Sequence, residues 1–373
     1  MKEVVLITGG AGFIGSFTAD LLILRGYEVV IYDILNPKTH NGKWPEYINS
    51  KAVLIKGDVT DKISLTKAIS RVDYIIHLAA EMDLNPDFQK FMNVNVGSTA
   101  LIYEIIIKNN FSIKKVIVAS SQFVYGEGKW ECKNCGIFDA EIRSKNKMKN
   151  KEWDQTCPKC NKISKYCLNK EDHQNPPNHY ALSKFFQEKL SLQLGKLYSI
   201  PTVAMRYSIV HGPRQSLKNT YSGALRTFAI SIKLNRPIST FEDNQSLRDF
   251  VSVKDVAEAN LKVLESNSAN YEIFNVGSGE AWSVNKLAET LAKKIKMNFS
   301  FSSTSEFRVG DIRNAVSDIS KLKKIGWNPK YSEEQTLENY VEWFLEQDID
   351  YEKFLKTQID LRDKEIVIKS NNL

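Results

Sequence analysis

No stretch of 18 consecutive apolar residues occurs in the 373-residue chain, so nothing in it has the make-up of a membrane-spanning helix. Low-complexity tracts and internal repeats are missing too, which excludes solenoid architectures and, with 42% hydrophobic residues, wholesale disorder. Neither sign of charge dominates. The balance of 51 Lys+Arg against 44 Asp+Glu leaves a net +7, enough to attract anions mildly and too little for a nucleic-acid-binding surface. The apolar run after Met1-Lys2-Glu3 is too short for a signal peptide, and a soluble cytoplasmic protein is expected. Cysteine is nearly absent. All five, Cys132, Cys135, Cys157, Cys160 and Cys167, fall within 36 positions, and the other 337 have none.

The length exceeds what one hydrophobic core usually serves, which implies two domains or one with substantial additions. Short β-branched runs at 4–8, 28–32, 52–56, 73–77 and 115–120 alternate with helical stretches at 13–25, 62–70 and 88–109. Strands separated by helices at this spacing form right-handed βαβ units, so the fold class is α/β with a doubly wound parallel sheet. Residues 127–177 break the rhythm, and a structureless loop of that length needs stabilisation of its own. The alternation resumes with a helix at 179–198 and a strand at 202–206. Helices near 222–234, 254–266 and 284–296 and a strand at 271–275 then suggest a smaller lobe over the sheet's carboxyl edge. Four parts follow: a sheet domain at 1–126 and 178–212, an insertion at 127–177, a lobe mainly within 213–345, and a charged tail or peripheral helix at 346–373.

Thr8-Gly9-Gly10-Ala11-Gly12-Phe13-Ile14-Gly15 lies between the first strand and the first helix. Gly9 permits a tight turn, Gly12 lets backbone N–H groups approach a pyrophosphate, and Gly15 allows close helix–strand packing. The helix N-terminus adds partial positive charge, which suits a dinucleotide. Asp33, ending the second strand, can accept ribose hydroxyls and would repel a 2′-phosphate, favouring NAD over NADP. Asp58 and Val59, after the third strand, are placed to border the adenine. Tyr180 and Lys184, four residues apart, share a helical face, and a nearby ammonium would lower a tyrosine pKa enough for proton exchange with a sugar hydroxyl.

Cys132-Lys-Asn-Cys135 and Cys157-Pro-Lys-Cys160 form two Cys-x-x-Cys knuckles, the ligand pattern of a structural tetrahedral zinc. Disulfides are disfavoured in a cytoplasmic enzyme. Cys167 is left over as a free thiol. Lysines in this insertion are offset by acidic residues, which argues against nucleic acid. Because the insertion joins the strand end carrying Ser121 to the helix carrying Tyr180, it is expected to be a rigid flap that pins the catalytic helix.

The glycine motif, Ser120-Ser121 before Val124-Tyr125-Gly126, Tyr180-x-x-x-Lys184, Arg206-Tyr207, Arg248-Asp249-Phe250-Val251 and Arg308…Gly310-Asp311 together resemble the extended short-chain dehydrogenase/reductases that modify nucleotide sugars. The resemblance runs from residue 4 to about 345. It implies a Rossmann sheet, tightly held NAD and a homodimer formed through the helices at 88–109 and 179–198. It implies a catalytic set of Ser121, Tyr180 and Lys184, and it extends the NAD contacts to Phe13, Ile14, Leu78, Ala79, Ala80 and Asn95. Ser208, Arg248, Arg308 and Asp311, with Ser121, would bind a nucleotide-diphosphate sugar, the arginines holding the diphosphate. Ser208 stands where many members have Asn, which is a departure. The family's 4,6-dehydratases carry an Asp-Glu pair where this chain has Gln122 and Phe123, neither of which can transfer a proton. That leaves 4-epimerisation of a dTDP- or UDP-hexose or deoxyhexose ahead of a dehydratase or reductase, with an NAD sensor or zinc-ribbon nucleic-acid binder more remote. Tyr125-Gly126-Glu127-Gly128 followed by the cysteine pairs, and Tyr221-Ser222-Gly223-Ala224 later, resemble the dTDP-L-rhamnose 4-epimerase branch.

Overall fold

Seven β-branched runs zip into one parallel sheet: β1 (Val4–Thr8), β2 (Glu28–Asp33), β3 (Val53–Lys56), β4 (Tyr74–His77), β5 (Lys115–Ser121), β6 (Thr202–Tyr207) and β7 (Ile273–Val276). Their order across the sheet is β7-β6-β5-β4-β1-β2-β3. The chain reverses direction across the sheet between β1 and β4, the crevice where a doubly wound sheet binds its ligand. The computed structural model describes residues 2–82, 86–218, 223–302, 306–308, 310–352, 354–355 and 367–371. Tyr221 and Ser222 of the branch motif lie outside them.

Every residue of β5 and β6 is buried, as in strands covered on both faces. Alternate side chains divide between the two sides. Val5, Ile7, Ile117 and Val203 share a core with Ala19 and Leu22 of the first helix, Phe13–Leu24, and with Val256 and Leu261 of Val253–Glu265. Leu6, Ile75, Val116 and Val118 face Leu65 and Ile69 of Lys62–Ile69 and Ile102 and Ile106 of Ser98–Lys108. Lys115 is buried and donates to the carbonyls of Val263, Leu264 and Ser266, capping a helix end that would otherwise leave them bare. A separate core of Leu225, Phe228, Leu287, Leu291, Leu337 and Phe344 forms the smaller lobe. No helix among the described residues is long and apolar enough to cross a membrane.

Two features differ from the sequence expectation, the course of the helix over 88–109 and that of the tail. The helix over 88–109 is interrupted by a π-turn at Met92–Gly97, because Asn95 turns inward to bond Glu81 and Ser183. The tail returns as a strand, Val367–Lys369, antiparallel to Glu306–Arg308, and Asn371 N donates to Lys149 O of the insertion. The insertion itself is a three-stranded antiparallel sheet, with Lys129–Cys132 between Gly136–Asp139 and Lys165–Tyr166, around a buried Trp130.

Candidate active site

The phosphate-side loop is shaped by backbone crowding. Gly9 has φ +68°, and a Cβ there would lie 2.7 Å from Ala79 N; one on Gly15 would lie 2.5 Å from Gly9 O. Only glycine permits both approaches. Gly12 caps the following helix without any side-chain bond, so the N–H groups of Phe13 and Ile14 are not covered by a cap. Asp33 is buried, its two oxygens accepting from Leu35 N (2.8 Å) and Ala11 N (3.1 Å), which fixes the loop and leaves each oxygen a second lone pair. Leu78, Ala79 and Ala80 follow β4 directly across from the loop, Leu78 N bonding Thr8 O. Val59 is buried, and Asp58 accepts from Thr60 at the β3 edge. These residues fit an extended dinucleotide. Asn95 does so only indirectly, since its amide is occupied by Glu81 and Ser183.

Tyr180 sits in the first turn of the helix His179–Leu197, which Asn178 caps through Ala181 N. Its ring meets Phe91 and Phe123 edge-on at 6.4 and 6.3 Å. One turn on, Lys184 Nζ donates to Ala119 O and Gln187 Oε1, both at 2.9 Å, tying the helix to β5 two residues before Ser121. Serine, tyrosine and lysine therefore converge at the carboxyl end of β5. Burial pushes the Tyr180 phenol up to about 12, the Ser121 hydrogen bond opposing it, and pushes the Lys184 ammonium down to about 7. Burial is the largest cause of both shifts, because it penalises the charged form of each group.

Beneath the site, Glu188 holds Arg206 in a bidentate pair (2.7 and 2.8 Å) and accepts from Ser120. Arg206 Nη1 reaches Glu171 O and His173 O on the insertion's exit limb. The sequence marked Arg206 as a motif residue without revealing this bracing role.

The substrate-side residues are more committed than expected. Ser208 bonds Asp249 and Ser317, so its hydroxyl belongs to the clasp in which buried Asp249 also takes Ser278 and Gly279. Both terminal nitrogens of Arg248 are engaged, by the carbonyls of Leu247, Ile312 and Arg313 and by Asp311 Oδ1. Nε–H is its one donor without a partner among the described residues. A fork–fork grip on phosphate by Arg248 does not match that arrangement. Arg308 ends the strand Glu306–Arg308, in a separate two-stranded sheet, with its guanidinium 4.3 Å from the centre of the Phe241 ring.

In the insertion, the four sulfurs of Cys132, Cys135, Cys157 and Cys160 lie within 4.8 Å of one another, with 3.5 Å between Cys132 and Cys160. Tetrahedral bonds of about 2.3 Å would set sulfurs about 3.8 Å apart, so the set fits zinc. Cys167 is not in the cluster. The insertion also docks on the smaller lobe: Glu127 and Arg143 pair with each other, Arg143 reaches Glu242, and Arg313 bonds Glu127 through its N–H and pairs with Asp154.

Residues 6–134 match the GDP-mannose 4,6 dehydratase family, and residues 154–277 match the NAD dependent epimerase/dehydratase family. A dTDP-L-rhamnose 4-epimerase of Burkholderia thailandensis is 31% identical over 355 residues, covering 92% of this chain and 95% of that one. The UDP-N-acetylglucosamine 4-epimerase of Methanobrevibacter ruminantium, solved with UDP-N-acetylmuramic acid, superposes with a TM-score of 0.74 at 29% identity, over 93% of this chain and all of that one. The UDP-glucose 4-epimerase of Thermotoga maritima, solved with UDP-glucose, gives 0.73 at 27% identity, over 92% and 98%. With the glycine loop, Asp33 and the Ser–Tyr–Lys set in place, the chain is an enzyme of the NAD-dependent epimerase/dehydratase family, among the extended short-chain dehydrogenase/reductases.

Proposed function

We propose that the protein inverts C4 of a nucleotide-diphosphate sugar, a dTDP- or UDP-hexose or deoxyhexose. The observation that carries this is the convergence of Ser121, Tyr180 and Lys184 with Gln122 and Phe123 as the next residues. Tyr180 as the one base of that set suffices to take a proton from the C4 hydroxyl and return it to the 4-keto sugar. Dehydration needs a further acid and base near C5 and C6, and an amide and a phenyl ring supply neither.

NAD supplies a hydride acceptor and a positive charge. Tyr180 exchanges the proton at its Oη, and Ser121 Oγ orients the reacting oxygen. Lys184, held by Ala119 O and Gln187, keeps its remaining N–H for a ribose hydroxyl and stabilises phenolate when protonated. A phenol near 12 is too weak an acid to be ionised at neutral pH, so cationic charge must gather before it acts as a base. Gly9, Gly12, Phe13, Ile14, Gly15 and Asp33 would hold the pyrophosphate and ribose of NAD. A structural zinc on Cys132, Cys135, Cys157 and Cys160 and a homodimer complete the reading. Exposed Phe88 and Phe186 on the two helices expected at the dimer interface support the latter.

A panel of UDP-, dTDP-, GDP- and CDP-sugars, followed by NMR without added NADH, tests the reaction. C4 inversion with at least one sugar, abolished by Tyr180→Phe, is expected. Accumulation of a 4-keto-6-deoxy sugar would move the enzyme to the dehydratases.

A further inference from the structure

Arg143 comes from a lysine-rich stretch of the insertion, yet its side chain is 1% exposed. Its Nε donates to Glu127 Oε1 at 2.8 Å and its Nη1 to Trp153 O at 3.0 Å. Its Nη2 spans the boundary between insertion and lobe, reaching Glu242 Oε1 at 2.9 Å and the main-chain oxygen of Asp311 at 3.1 Å. The other oxygen of Glu127 accepts from Arg313 N at 3.0 Å, and Arg313 in turn pairs with Glu242, Asp243 and Asp154. Two buried guanidinium groups thus interlock with two buried carboxylates around residues 311–313.

That same segment seats Arg248, through the carbonyls of Ile312 and Arg313 and through Asp311 Oδ1. Displacing the Asp311–Arg313 backbone therefore displaces both Arg248 and Asp311. We propose that Arg143 is a positioning residue for the nucleotide-diphosphate end of the substrate site, acting from the insertion through the main chain of Asp311. This rests on the nucleotide-sugar reading above.

Two further contacts hold the insertion to the same stretch. Trp153 meets the Phe307 ring at 6.3 Å, and Asn169 bonds Val316 O and Asp318 N. Neither touches residues 311–313, so the insertion stays docked when the Arg143 link alone is cut. The chemistry at Ser121 and Tyr180 lies on β5 and the helix His179–Leu197, outside the network. Arg143 should consequently affect nucleotide binding and leave the proton-transfer step alone.

The test uses the NAD-loaded full chain, with UDP and dTDP as calorimetric probes and epimerisation kinetics alongside. Arg143→Lys keeps one charge but cannot span Glu127, Glu242 and Asp311 at once. Arg143→Met leaves two buried carboxylates facing each other, and Arg143→Met with Glu127→Gln and Glu242→Gln removes that repulsion. For Arg143→Lys, nucleotide Kd and sugar KM should rise about tenfold, as the loss of one hydrogen bond to the nucleotide gives, while kcat at saturation and NAD content stay unchanged. The neutralised triple variant should show the same split if the fork, rather than the charge balance, does the positioning. Unchanged nucleotide Kd in Arg143→Lys and the triple variant overturns the proposal, and so does a fall in kcat together with loss of NAD. Wild-type protein that binds neither UDP nor dTDP would instead defeat the nucleotide-sugar reading, and the proposal with it.

Discussion

Gln122 offers a test of how this active site was built. It follows Ser121 directly, begins the 3-10 turn Gln122–Tyr125, and is 2% exposed. Neither Oε1 nor Nε2 of its amide has a hydrogen-bond partner among the described residues. A buried polar group left unpaired costs about 1–3 kcal/mol relative to an apolar one of the same shape. Methionine has the same unbranched length and carries no donor, so Gln122→Met should stabilise the ligand-free protein by an amount in that range. Spread over 373 residues, unfolding entropy near the midpoint is roughly 0.8 kcal/mol per degree, so the rise in Tm should be about 1–4 °C. Calorimetry of ligand-free wild type and variant at one scan rate measures this.

The same variant discriminates between roles. An amide cannot exchange protons at neutral pH, so kcat for C4 inversion should stay within about twofold, as expected of a side chain outside proton transfer. A lower Tm would refute the reasoning by showing that the amide is satisfied. A large fall in kcat would refute it in another way, because the amide would then touch the reacting sugar.

Two further outcomes concern groups that burial and ligation control. Burial lowers the Lys184 ammonium to about 7 in the folded chain, against about 10.5 unfolded, so the unfolded chain binds more protons between those values. Stability of the ligand-free protein should therefore rise with pH from about 7 to 10, and Lys184→Met, which has no group titrating in that range at this position, should lack that rise. Urea melts of both proteins across that range check it, and a constant gap would show that Lys184 is not desolvated. Freshly purified protein should carry one zinc per chain by elemental analysis. Its removal by a strong chelator should raise hydrogen exchange over 129–166 and leave the β1–β7 sheet protected; a metal-free preparation with a protected insertion would rule the zinc out.

The sheet was legible because its signals are local. Each of β1 to β7 is a β-branched run whose pattern repeats within a few residues, and the glycine loop, Tyr180 and Lys184 sit at spacings that report one helix or one turn. The two Cys-x-x-Cys pairs were legible for the same reason, each closing a tight turn. What escaped was set by partners far along the chain. Nothing around Arg143 shows that Glu242 and Asp311, about 100 and 170 residues later, complete its shell. The π-turn at Met92–Gly97 depends on Glu81 and Ser183, on either side of the helix in sequence. The return of Val367–Lys369 beside Arg308 likewise needs a partner strand some 60 residues away.

The long-range contacts also reassign the arginines. Read from the sequence, a surplus of basic residues and two motif arginines suggested that guanidinium groups hold the diphosphate. In the fold, Arg143, Arg206, Arg248 and Arg313 all direct their forks into carboxylates and carbonyls of the protein itself. A guanidinium with five donors in one plane is the side chain best able to fasten several segments at once. Here it joins the insertion to the smaller lobe and the catalytic helix to the sheet. Among the described residues, the Nε–H of Arg248 and the uncapped backbone N–H groups after Gly12 keep donors to offer an anion. Such fixed donors discriminate by geometry rather than net charge, so small displacements of residues 311–313 should matter more to binding than changes in surface lysines.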